Sequence, residues 1–186
     1  MTVNVYYTIT VYCWKGDYRM CNYNDALYIH YGSPHFDINM FNRPTYDFKP
    51  RGGLWGSIYN EDDVPYWKMW CQMNDFGDDK DASCPSFLFK LKQDCKLLVI
   101  DHTNIERIPH TDYWQIMLSN KNIQRVHCKK AFKGYDAVYV DLFLIPEFNY
   151  RFPMWDVPSL YVLDPECVEE VSKQYGYICH TKRRCI

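Results

Sequence analysis

Apolar and polar positions alternate almost strictly over residues 3–14, where Val3, Val5, Tyr7, Ile9, Val11 and Cys13 fall on one side. A period of two turns one face of an extended chain toward a core, so this stretch predicts a strand. Lys15, Gly16 and Asp17 then turn the chain. Residues 25–31 are a second strand candidate, with Ala26, Leu27, Tyr28 and Ile29 running into His30-Tyr31-Gly32. No period survives from 32 to 53, a stretch rich in Pro, Gly, Asn and Asp. Loops of that length inside a compact domain are usually functional. A short strand over 54–59 follows the Gly52-Gly53 pair.

The period changes over 65–76, where Trp67, Trp70, Cys71 and Met73 fall near i, i+3, i+4 spacing. With Pro65 at the first helical position this predicts an amphipathic helix, its two tryptophans forming a core stripe. Asp62, Asp63, Asp78, Asp79 and Asp81 lack calcium-loop spacing and read as solvent-facing. Residues 86–92 and 96–101 predict two strands joined as a hairpin or a corner. Helices are expected over 103–108 and over 111–118, the second with Thr111 as N-cap. Residues 121–132 stay open between helix and strand. Residues 136–145 and 159–164 predict strands on either side of an aromatic loop, and a short helix opens at Pro165.

With no internal repeat and no linker, residues 1–186 read as one domain. Residues 1–24 belong either to its sheet or to an N-terminal strand extension. The expected fold class is α+β, with a mostly antiparallel, split sheet and a few flanking helices.

Composition sharpens this picture at three points. Aromatics make up 18% of the chain, with 17 Tyr, 10 Phe and 6 Trp, enough for a ring-packed β core and for rings that stack on ligands. A net charge of −2 gives no footprint for nucleic acid beyond the short Lys182-Arg183-Arg184 cluster. Nine scattered cysteines, never in Cys-x-x-Cys spacing, fit reduced buried thiols and offer no zinc site. The alternating N-terminus lacks the basic segment and cleavage site of a signal peptide, and no apolar run approaches a membrane span of about 20 residues. A cytoplasmic protein without membrane contact is the expectation.

The chemistry concentrates at 25–57. A polar strand end (His30), backbone free of Cβ (Gly32, Gly53) and rings to stack on (Tyr31, Trp55) are how many small-ligand sites are built. Serine elbows, phosphate-binding Gly-Lys-Ser/Thr loops and Gly-x-Gly-x-x-Gly turns are all missing. Asp101, His102, His127 and Cys128 offer a Cys–His pair that nothing in the sequence brings together.

A strand ending His30-Tyr31-Gly32, then Gly53-Leu54-Trp55-Gly56-Ser57, then Asp156 before a late strand, resembles the ADP-ribosyltransferase superfamily. The likeness is nearer its diphtheria-toxin and poly-ADP-ribose polymerase branch. More narrowly, the chain is similar to small bacterial and phage proteins with Lys-Pro-x-Gly-Gly-Leu-Trp and Trp-Asp-x-x-Ser, which implies the cytoplasm of a bacterium or an infected host cell. The pattern departs from the branch in having Trp55 where its Tyr would sit and Asp156 where its Glu would sit.

The resemblance implies an NAD-dependent enzyme that breaks the nicotinamide–ribose bond and passes ADP-ribose to a protein, a nucleic acid or water, with NAD as substrate and no metal. His30 would anchor ribose hydroxyls, and backbone beside Tyr31 and Gly32 would grip the carboxamide. Trp55 or Tyr31 would stack the ring, Lys49 and Arg51 would meet the pyrophosphate, and Gly53 would also line the cofactor site. Asp156, braced by Ser57, would face the oxocarbenium-like transition state. The alternative is a non-catalytic nucleotide-binding or protein-interaction domain. In that case His30 bonds a neighbouring loop, Gly52-Gly53 is a tight turn, Trp55 is core and Asp156 caps a turn.

Overall fold

The structure is a computed structural model that describes residues 22–46, 50–81, 83–113, 123–145, 151–152 and 155–171. The strand expected over 3–14 and Lys49 lie outside them.

In chain order the elements are β1 (Tyr28–Tyr31), β2 (Leu54–Ile58), α1 (Tyr66–Asn74), β3 (Ser86–Leu91) and β4 (Leu97–Ile100). Then come β5 (His110–Tyr113), β6 (Ile123–Val126), α2 (Cys128–Ala131), β7 (Ala137–Val140), β8 (Ser159–Val162) and β9 (Val168–Glu170). Seven strands form one sheet in the order β4-β7-β8-β2-β1-β3-β9, and β5 and β6 form a separate ribbon. The expected α+β class holds. The sheet is mixed, because β4 and β7 pair in parallel while its other pairs are antiparallel.

The sheet has to curl. Only residues 92–96 connect β3 to β4, yet β1, β2, β8 and β7 stand between them in the strand order. Six residue steps of extended chain reach roughly 20 Å. Crossing five strand spacings on a flat sheet needs about 24 Å. The predicted β3–β4 pair is therefore a corner and not a hairpin. Its inner face is one apolar cluster that joins both ends of the sheet: Phe89, Leu91 and Val168 from one end, Ala137 and Tyr139 from the other. The outer face carries a second cluster with Leu98, Ile100, Val138, Val140 and Tyr161, covered by segments that bring Ile105, Val126, Phe132, Ile145 and Trp155.

Alternation decides which side chain meets which cluster. In β2, Leu54 joins the inner cluster and Trp55 packs on the outer one. Gly56 faces inward, where a Cβ would come within 2.8 Å of Phe89 Cζ, so only glycine lets that ring lie flat on the strand.

Several elements differ from expectation. The stretch from Thr111 is the strand β5, paired Thr111↔Arg125 with β6, and not a capped helix. Thr and Tyr favour a pleated surface, and a partner strand outweighs a weak helical preference. The helix expected over 103–108 is only a 3-10 turn, Ile105–Arg107. The strand from 136 stops at Val140, because the Asp141 carboxylate takes the N–H groups of Phe143 and Leu144 at 3.1 and 3.3 Å and turns the chain. Pro165 opens a single 3-10 turn capped by Asp164, and the chain then enters β9. α1 forms as predicted, with Pro65 just before its first turn and Asp75 closing it at φ 51°. Its tryptophans are no core stripe: Trp67 and Trp70 stack on each other (5.2 Å, 12°) with Phe76 at their edges, half-buried and outside both clusters.

Candidate functional site

His30 ends β1 on the inner face. It pairs with Phe87 of β3, and the two rings lie 5.2 Å apart. Its Nδ1–H donates to the Trp55 carbonyl at 2.8 Å, since a carbonyl only accepts. Burial holds its pKa below the ordinary value, against weaker upward pulls from that hydrogen bond and from Asp79. The ring is therefore neutral at pH 7, its orientation fixed and its Nε2 an acceptor.

The remaining predicted residues stand elsewhere. Trp55 turns its ring to the outer face, against Trp155 at 4.7 Å and Tyr161 at 4.5 Å. Ser57, paired with Ile29, is buried on that same face and accepts the backbone N–H of Trp67 at 3.3 Å, which seats the start of α1. Tyr31 is also on the outer face, under the Lys68 ammonium. Asp156 is exposed and acts electrostatically on Cys71 of α1. The sheet thus separates His30 from the ring, hydroxyl and carboxylate expected to work with it.

The glycines serve the fold. Gly53 lies at φ 62°, where a Cβ would meet Tyr161 Cε2 at 2.5 Å and the Val162 carbonyl at 2.6 Å. Gly52, at φ 69°, lets the backbone of 51–53 press against that of 42–45, where a Cβ would come within 2.6 Å of the Arg43 carbonyl. Gly53 N–H donates to Asn42 O, and Thr45 and Arg51 form a β-bridge. The Arg51 carbonyl accepts the Tyr161 hydroxyl at 3.0 Å. The close approach read from the Gly pair is thus between two stretches of this chain's own backbone. Gly32, at φ 99°, has open space around it.

That approach positions what the sequence did not single out. The segment 42–46 forms one wall of a pocket of about 550 Å³ lined by Ile38, Phe41, Arg43, Tyr46, Asp164 and Pro165, among others. A second pocket of about 200 Å³, which shares Tyr46, is lined by Pro50, Thr111, Arg125, His127 and Cys128. Tyr46 belongs to both and rests edge-on against Phe132. None of His30, Tyr31, Gly32, Arg51, Gly53, Trp55, Ser57 and Asp156 lines either one. His127 and Cys128 do stand together on the smaller pocket's wall, but burial pushes the Cys128 thiol up to about 11, so it is no nucleophile at neutral pH. Asp101 is elsewhere, capping Thr103.

Two more groups escaped the sequence reading. Lys68 is buried on α1, and Asp79 is half-buried and accepts Trp67 Nε1–H at 2.7 Å and the Cys84 thiol at 3.3 Å. Glu170, in the last strand, pairs with Phe89 and so shares the inner face with His30. Its Oε2 accepts the Phe36 N–H at 3.0 Å, and Phe36 and His30 pack on the same Phe87 ring. Among the described residues no group of three or more His, Cys, Asp or Glu side chains is placed to hold a metal ion, and no helix is long and apolar enough to cross a membrane. Comparison of the chain with protein-family models, with curated proteins and with solved structures gave no match.

Proposed function

We propose that this domain binds, without cleaving, an anionic ring-bearing ligand of the nucleotide class in the paired pockets around Tyr46. The observation that carries this reading is the pair itself: two hollows that share the half-buried Tyr46 in their walls, with Arg43 lining one and Arg125 the other. A base lies on Tyr46 or against Phe41, whose faces bind planar rings. Asp164 accepts from a sugar hydroxyl or a base amino group. Arg43 meets a phosphate as a charge-assisted donor. The larger volume lies in the range of small-ligand sites. Calorimetric titration with ADP, ADP-ribose and NAD tests it. Binding weakened at least tenfold by Tyr46→Ala and by Arg43→Ala, with no nicotinamide released from NAD, is the expected result. Full-strength binding to both variants overturns it.

A second reading, NAD-dependent ADP-ribosyl transfer or NAD hydrolysis, has one observation in its favour. His30 is neutral, fixed in orientation, and shares its face with a late-strand carboxylate, Glu170. It loses support from the placement of Trp55, Ser57 and Asp156 across the sheet. Nicotinamide release that disappears in His30→Ala and Glu170→Gln, but persists in Asp156→Ala, would favour it over binding alone.

A further inference from the structure

The turn between β8 and β9 and the corner between β3 and β4 meet where the two ends of the curled sheet come together. The Lys92 N–H donates to the Cys167 carbonyl at 2.9 Å, and the Cys95 N–H donates back to Lys92 O at 3.0 Å. This lattice holds two cysteines, remote in sequence, side by side in the inner cluster, where their thiols hydrogen-bond to each other. The single S–H of Cys167 is shared among three acceptors, the Asp164 carbonyl at 3.0 Å, the Asp136 carbonyl at 3.9 Å and the Cys95 sulfur. Cys95 is 9% exposed on a corner whose neighbours Gln93, Asp94 and Lys96 are exposed, so a small oxidant approaches the pair from its side.

We propose that Cys95 and Cys167 are a reversible dithiol–disulfide switch that fastens the two ends of the curled sheet. The donated S–H favours the Cys95 thiolate, drawing its pKa below the ordinary thiol value and pushing that of Cys167 up, so Cys95 attacks and Cys167 resolves. With a peroxide as oxidant, the Cys95 sulfur attacks one oxygen, the O–O bond breaks, and the leaving hydroxide takes a proton to become water. Cys95 is then a sulfenic acid. The Cys167 sulfur attacks it, the S–O bond breaks, and the departing hydroxide leaves as water with the Cys167 proton. Two thiols lose two electrons, and one hydrogen peroxide becomes two waters. The bridge removes the S–H that holds the Asp164 carbonyl, on the turn that also forms part of the larger pocket's wall. The bridge itself is independent of what that pocket binds.

Cys71, Cys84 and Cys128 serve as internal controls. Burial pushes their thiols up, those of Cys71 and Cys128 to about 11. The test is to titrate the reduced chain with hydrogen peroxide, alkylate, digest with trypsin and map the peptides without reductant. Peptide 93–96 linked to peptide 152–173, reversed by dithiothreitol, is the expected product. It forms before Cys71, Cys84 or Cys128 is lost to alkylation, and Tm rises by roughly 5–10 °C. In Cys95→Ser the link and the rise both disappear. The proposal is overturned if both cysteines of wild-type protein still alkylate after peroxide, if Cys95 proceeds to the sulfinic acid unpaired, or if either joins a different cysteine.

Discussion

The Lys68 ammonium stands over the Tyr31 ring, 5.2 Å from its centroid. Its Nζ also donates to the carbonyls of Asp79 and Asp81, so one buried cation ties α1, the end of β1 and the loop before β3 together. A charge taken out of water is tolerated only where such partners replace its hydration. Lys68→Met fills much of the same volume but leaves two carbonyls unpaired. The expected loss is about 2–4 kcal/mol in urea unfolding. Tyr31→Leu, which removes only the ring's attraction for the cation, costs about 1–2 kcal/mol beyond its packing change. Equal stability of Lys68→Met and wild type would show that the cation does not hold this region.

Gly53 and Gly32 both have positive φ, and they separate strain from space. At Gly53 an alanine is strained and also driven into the Tyr161 ring and the Val162 carbonyl, which cannot move without breaking the β2–β8 pairing. Gly53→Ala therefore costs more than about 3 kcal/mol, the strain and overpacking terms together. At Gly32 nothing stands within 4 Å, so the backbone term remains alone and Gly32→Ala costs about 1 kcal/mol. Comparing the two urea midpoints checks the order, and a Gly32 variant as damaged as the Gly53 one would contradict it.

Local pattern reached the strands well and their partnership poorly. Ser86–Leu91, Leu97–Ile100, Ala137–Val140 and Ser159–Val162 all fall within predicted strands, because runs such as Phe87-Leu88-Phe89 and Val138-Tyr139-Val140 have few other ways to be buried. That β4 pairs with distant β7 and not with adjacent β3 depends on a corner that no local period encodes. Thr111 looked like a helix cap because its strand partner, Arg125, is remote in sequence. The site was harder still. The Leu54 and Trp55 neighbours had to face opposite ways, and so did Ile29 and His30. Which of these faces coincide across strands follows only from the register Ile29↔Ser57. Lys68 sat in a helical pattern as one more polar residue, because its carbonyl partners come from a loop beyond the helix.

His30 and His110 make stability depend on pH with a definite sign. Both have folded pKa values below the ordinary 6.5, His30 mainly through burial and His110 through burial and then the Arg151 guanidinium. The unfolded chain binds protons more readily than the folded one, so protonation favours unfolding. Their contribution is complete above about pH 6.5 and is lost as pH falls from there through the folded values. Urea midpoints measured from pH 8 to pH 5 should fall, and the fall should be shallower in His30→Gln and shallower again with His110→Gln added. His30→Asn, whose amide nitrogen stands near the position of Nδ1 and can keep the bond to the Trp55 carbonyl, separates the loss of charge from the loss of that hydrogen bond. A pH profile unchanged in both variants would remove the two imidazoles as its cause.

Binding at Tyr46 has an electrostatic signature that stacking alone lacks. Arg43 is exposed at the wall of the larger pocket, where a bound phosphate would meet its guanidinium. Affinity for ADP should exceed that for adenosine, and the difference should shrink as salt screens the contact. Arg43→Lys keeps a point charge but loses the planar two-donor geometry, and should recover only part of what Arg43→Ala loses. Tyr46→Phe should bind nearly as wild type, because the ring is the stacking surface, whereas Tyr46→Ala loses that surface. Asp164→Asn separates the remaining contact: it should weaken adenosine and ADP alike if the carboxylate meets the sugar or base, and strengthen ADP alone if it only repels phosphate. Isothermal titration of the five variants at low and high salt reads all of these, and ADP affinity indifferent to both salt and Arg43 would place any bound nucleotide elsewhere on the chain.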